Sequence, residues 1–109
     1  MDQRSEYRIV YPLPARPQVR IGADDYPAFD VSERALRLDT RRAAGSLVAG
    51  QRVAGWVVLA HRARHEFAGE VLRVDEQSAV VMLDQDRRIA LALIFQEQRH
   101  LRSKFPDWR

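Results

Sequence analysis

From Gln18 to Leu83 the chain is a succession of short alternating runs, separated by turn residues rather than by helical patterns. "QVRI" (18–21) alternates and stops at Gly22, and "ALRLD" (35–39) alternates again. "QRVAGWVVLAHR" (51–62) puts Val53, Val57 and Leu59 on one face and Trp56 and Val58 on the other. "EVLRVD" (70–75) and "SAVVML" (78–83) meet at "DEQS", a hairpin-like turn, and the consecutive apolar residues of the second run suit a strand with little solvent exposure. Short strands at this spacing predict an antiparallel barrel or sandwich, since βαβ units would need helices between them.

The two ends differ from this middle. In "DRRIALALIFQEQRHLRSKFP" the residues Leu91, Ile94, Phe95, Gln98, Leu101 and Phe105 recur at helical spacing. Asp86 is the expected N-cap, Arg99, Arg102 and Lys104 suit the negative end of the dipole, and Pro106 is a stop, so a helix is expected over 86–106. The Ile89–Leu93 alternation also fits a strand, but Ala and Leu are good helix formers and the later spacing continues the stripe. At the other end, Pro12, Pro14 and Pro17 exclude a helix, leaving residues 1–17 as an extended, flexible arm that carries Arg4 and Arg8. With no repeat or linker, one domain is expected: arm, strands over 18–85, then helix.

Composition narrows the function more by exclusion than by indication. The 109 residues contain no cysteine, so disulfides and thiolate metal sites are excluded, and no apolar run approaches the ~20 residues of a membrane span. "MDQRSEYR" does not read as a signal peptide, and a cytoplasmic location is expected. His61 and His65 bracket an expected loop with Glu66 beside it, and His100 is remote; a solvated loop explains them better than a metal. Asp84 and Asp86 are explained by the helix start, and Asp24 and Asp25 by a polar, Pro-containing loop. The serines have no histidine in a recognisable motif and the five glycines are scattered, so neither nucleophilic catalysis nor a phosphate loop is indicated, and no enzyme is expected. All of the 18 basic side chains except Lys104 are arginine, the residue suited to bidentate recognition of phosphates and guanine edges.

The arginines and one polar pair remain. "R4-S-E-Y-R8" places two guanidinium groups four residues apart, and about twenty residues later comes "D30-V-S32-E-R-A35". This arrangement, Arg-x-x-x-Arg and then Asp-x-Ser-x-x-small with the first strand between them, resembles the PilZ domain family over nearly the whole chain. The resemblance implies a six-stranded antiparallel β-barrel with a C-terminal helix. It also implies a bacterial receptor for cyclic di-GMP, with Arg4, Arg8, Asp30, Ser32 and Ala35 at the ligand, no other cofactor, no metal, and an effector protein or an oligomer to receive the signal.

The chemistry suits those residue types. Guanine offers O6 and N7 to an arginine fork and a flat face to a guanidinium plane, while its N1–H and N2–H₂ edge can donate to a carboxylate such as Asp30. Two phosphates want cations, and Ser32 can donate to one of them. An arm that orders on binding would carry an entropic cost. Two positions depart from the family pattern. Gln3 stands where a further arginine is common, and Ala35 stands where the motif ends in glycine. If that glycine serves only close approach, a methyl is a small obstruction; if it needs positive φ, alanine costs ~1–2 kcal/mol.

Other readings compete. Asp30 and Ser32 would on one of them only satisfy backbone groups where a strand starts. The chain would then be a protein-interaction module that does not bind the nucleotide. A basic barrel for single-stranded nucleic acid is disfavoured: it would need aromatics interleaved with cations on one face, and Tyr7, Tyr11, Tyr26, Phe29, Trp56 and Phe67 follow no strand period.

Overall fold

The computed structural model describes residues 7–43, 45–60 and 64–108. Arg4 and His61 lie outside the described residues. The described residues form seven strands, β1 (Arg8–Val10), β2 (Gln18–Ile21), β3 (Asp24–Ser32), β4 (Ala35–Asp39), β5 (Arg52–Val58), β6 (Arg64–Val74) and β7 (Ser78–Leu83), followed by one helix, α1 (Leu91–Lys104). The sheet runs in the order β1-β3-β2-β5-β6-β7-β4, and pairing of β4 back onto β3 closes six antiparallel strands into a barrel, with β1 added along β3. The protein is mostly β, as expected.

Alternation does most of the building. Val19, Tyr26, Val31, Leu36, Leu38, Val57 and Val81 point inward with essentially no exposure. Val53, Val57 and Leu59 are buried together while Val58 is exposed, as their spacing predicts. Asp75 forms the β6–β7 turn by accepting from the backbone N–H groups of Gln77 (2.9 Å) and Ser78 (2.8 Å) and from the Ser78 hydroxyl (3.1 Å). Those bonds, the backbone ones foremost, hold its carboxyl below the usual range. Gly22, at φ 63°, supplies the left-handed residue of the two-residue β2–β3 loop. Gly55 and Gly69 serve a different need: a Cβ there would collide with the carbonyl oxygens of Arg20 and Met82 on the neighbouring strands.

Three expectations need correction. The helix starts at Leu91, not at residue 86; Ala90 is its N-cap without a side-chain bond, and Asp86 falls in a short 3-10 turn, Gln85–Arg87. Between them Arg88 and Ala90 are extended, because Ile89 is fully buried in the barrel and its N–H donates to Glu33 O at 3.0 Å. Anchoring that one side chain outweighs continuing the helix upstream. Ile94 and Leu101 then bury the apolar stripe against the core.

The segment before β2 is extended, as expected, but it is packed. Arg8–Val10 pairs with β3, Ile9 and Tyr11 are buried, and a 3-10 turn, Leu13–Ala15, carries the prolines. Tyr7 meets Phe95 of α1 edge-on, and the Trp108 indole N–H donates to Val10 O at 2.6 Å.

Asp24–Ser32, finally, is one strand rather than a polar loop. Pro27 is tolerated because the neighbouring Ala28 N–H points to Pro17 O (2.9 Å). The N–H that proline lacks would face the side where the β3–β4 ladder does not extend past Ala28.

Candidate ligand-binding face

Asp30 and Ser32 stand at the end of β3, not at the start of a strand, and a β-bulge decides where they point. Up to Ala28 the even-numbered residues of β3 face the core: Tyr26 and Ala28 are buried, and Ala28 pairs with Leu38. The register then shifts between Ala28 and Asp30, after which Val31 is the inward residue, opposite Ile9 on one side and Leu36 on the other. The extra residue turns Asp30 and Ser32 to the outer face. No pattern of residue types announces that shift.

The same ladder brings up Arg8. Arg8 pairs with Ser32, and Val10 pairs with Asp30, so the guanidinium of Arg8 and both polar side chains of the second motif share one face. Arg37 pairs with Asp30 from β4, its Nη1 3.8 Å from Asp30 Oδ2. Ser32 Oγ accepts from the N–H groups of Arg34 (3.3 Å) and Ala35 (3.1 Å), which closes the β3–β4 turn. Ser32 is thus 2% exposed and Asp30 7% exposed, although both lie on the side of the strand away from the core. Ser32 therefore performs the backbone task of the turn reading and lies beside Arg8 at the same time.

Ala35 opens β4 in regular register with Met82. A ladder position is extended backbone, so the positive-φ explanation for a small residue does not apply, and close approach is the only constraint left at this site. Beyond it the face continues across β7 and β6: Arg37 pairs with Val80, which pairs with Arg73, while Ala35 pairs with the exposed Met82. The floor is a patch of apolar surface between arginines, suited to a flat ring with a charged edge.

Arg37, Arg73, Val80 and Met82 were not singled out from the sequence. Arg37 was legible, since it is the outward residue between Leu36 and Leu38. Arg73 was not, because a second register shift between Val71 and Arg73 decides its facing.

Beside this face, Phe29 lies under three guanidinium groups: Arg16, Arg37 and Arg41 have Cζ atoms 4.5, 5.0 and 5.5 Å from the ring centroid. Asp39 is held by Arg41 through both oxygens, at 2.9 and 2.7 Å, and this contact is the main cause that draws its pKa down to about 2. His65 lies in β6, not in a loop, with Nε2 3.2 Å from Arg87 O. Among the described residues no group of three or more His, Cys, Asp or Glu side chains could hold a metal ion, and no helix is long and apolar enough to cross a membrane.

On the opposite side of β1 a buried carboxylate joins three elements. Glu97 of α1 is 1% exposed; it accepts from the Tyr11 hydroxyl at 2.8 Å and from Ala60 N–H at 3.0 Å. Burial first, and the Glu97 charge second, push the Tyr11 hydroxyl far above the usual phenol range, so it stays a donor. The helical stripe of apolar residues gave no sign of this, because a glutamate on an amphipathic helix reads as solvent-facing. No family model matches this chain, and neither a curated protein nor a solved structure matches it.

Proposed function

We propose that the protein is a receptor for cyclic di-GMP that reports the nucleotide to a partner protein, with Arg4, Arg8, Asp30 and Ser32 as its ligand-binding residues. The observation that carries this reading is the β1–β3 register. It sets Arg8 opposite Ser32 and one ladder place from Asp30, on a face whose floor is Val80 and Met82 between Arg37 and Arg73. An arginine fork, a carboxylate and a hydroxyl converge there at the edge of an apolar platform. Those groups match the acceptor edge, the donor edge, the phosphate and the flat face of a guanine nucleotide.

Because the ladder itself places Arg8, the ordering cost expected of a free arm does not fall on this residue. Transmission has a physical route as well. β1 is tied to α1 through Tyr11–Glu97 and to the tail through Trp108, so a ligand that pulls on Arg8 pulls on the C-terminal helix. Of the six aromatics that a single-strand-binding surface would draw on, Tyr11, Tyr26 and Phe67 are in the core, which leaves that surface three.

Calorimetric titration with cyclic di-GMP tests the proposal. Saturable binding is expected, persisting at high salt, with Arg8→Ala costing ~2–5 kcal/mol of affinity through loss of a charge-assisted contact. Absence of heat at millimolar ligand, or an Arg8→Ala variant that binds like wild type, would overturn it.

A further inference from the structure

Arg16 and Arg41, two of the arginines around Phe29, border a cleft of about 740 Å³ that the Asp30–Ser32 face does not use. The 3-10 turn at Leu13–Ala15 forms one wall, and Arg16, Asp39, Arg41 and Arg42 supply the charged lining. Asp39 is the sole carboxylate of this lining and is fully engaged: Arg41 takes both its oxygens, and the Arg41 backbone N–H adds a third bond at 3.0 Å. Arg16 gets only a distant share of it, with Nη1 at 3.9 Å. The Nε–H of Arg16 is buried and has no acceptor among the described residues. Buried donors without acceptors are rare and costly, and one placed at the wall of a charged cleft indicates that an acceptor is to be supplied from outside.

Three guanidinium groups against one carboxylate leave a surplus of two positive charges in the lining. Two of them, Arg16 and Arg41, lie over the Phe29 ring, which restricts their freedom before any ligand binds. Arg42 is exposed at the rim. Preorganised planar donors with a surplus of two charges match a phosphoryl dianion better than a carboxylate. The volume is that of an ordinary small-molecule site.

We propose that this cleft is a second anion site, distinct from the Asp30–Ser32 face, that takes the phosphoryl group of a small phosphorylated molecule on Arg16 and Arg42. The inference does not depend on cyclic di-GMP binding. Pyrophosphate is the probe, titrated at constant ionic strength while the arginine side-chain N–H signals are followed by NMR. The Arg16 Nε–H signal is expected to move saturably. Arg42→Ala should weaken pyrophosphate at least tenfold without changing the melting temperature, Arg16→Gln should abolish saturation, and Asp30→Ala should leave both unchanged. An Arg16 signal that does not move, an Arg42→Ala variant with wild-type affinity, or loss of binding in Asp30→Ala would each overturn the proposal. Arg42→Ala decides the matter even if Arg16→Gln does not fold.

Discussion

Removing the Glu97 carboxylate should be among the most destabilising single changes in this protein. Among the described residues Glu97→Ala leaves two donors behind, the Tyr11 hydroxyl and the Ala60 N–H, the first in a side chain that is 4% exposed. The buried Tyr11 hydroxyl without its acceptor costs ~1–3 kcal/mol, the N–H of the exposed Ala60 costs less, and the cavity left by four lost heavy atoms adds to that. A total of about 3–5 kcal/mol follows, a large part of the ~5–15 kcal/mol that holds a domain of this size together. Glu97→Gln keeps one acceptor oxygen but turns an amide donor toward the others, and should cost about 1–2 kcal/mol; Tyr11→Phe removes one charge-assisted bond and should cost a similar ~1–2 kcal/mol. Urea unfolding of wild type, the two conservative variants and their double mutant gives the coupling between the residues, expected at or above ~1 kcal/mol. The melting point of Glu97→Ala should fall by roughly 12 °C or more at ~4–8 °C per kcal/mol. A Glu97→Ala variant that loses less than ~1 kcal/mol at unchanged denaturant slope would refute the reasoning, because the two donors would then have found other partners.

Ala35→Gly should leave cyclic di-GMP affinity within about twofold, since the ladder position needs no positive φ, while Ala35→Leu should abolish binding with the fold intact; affinity and melting temperature together check this. Gly55→Ala should cost more than ~2 kcal/mol in chemical denaturation, because the added methyl meets the Arg20 backbone rather than a movable side chain. Acid should unfold the protein partly through Asp39. Its folded pKa of about 2 lies below the ordinary aspartate value of about 3.9, so its contribution is complete above about pH 4 and disappears as pH falls toward 2. Asp39→Asn should flatten that part of the pH–stability curve, and an unchanged curve would count against the Arg41 contact. Truncation after Asp86 should expose the surface that Ile94 and Leu101 cover and give aggregation in light scattering.

The local chemistry of the chain was sufficient for a good part of this molecule. Period-two alternation gave β2, β4 and the β5 core face, because a strand with one buried side must alternate whatever its neighbours are, and a run of apolar residues gave β7. Asp75 and Ser78 gave the last hairpin through bonds that span only three residues. Helical spacing gave α1, and Pro106 its end. The resemblance carried by Arg8, Asp30 and Ser32 implied a shared site, and β1 brings them onto one face.

Tertiary packing decided the rest. Ile9 and Tyr11 show as a strand only when β3 is there to pair with them, and prolines on the downstream side hid that signal. Asp24 and Asp25 read as a loop by composition, because aspartate and the nearby Pro27 are poor strand formers, yet pairing with β1, β2 and β4 makes Asp24–Ser32 one strand. The upstream limit of the helix was lost to Ile89, whose burial in the barrel is a long-range event. Most of all, the facing of Asp30 and Ser32 depends on one extra residue at the bulge. A period-two pattern carries facing only while register is kept, and register belongs to the pairing of strands rather than to either strand alone. What the sequence determined by itself was therefore whatever a residue settles with its near neighbours. The barrel closure, the facing of the site and the Glu97 link to β1 were decided by groups that meet only once the chain is folded.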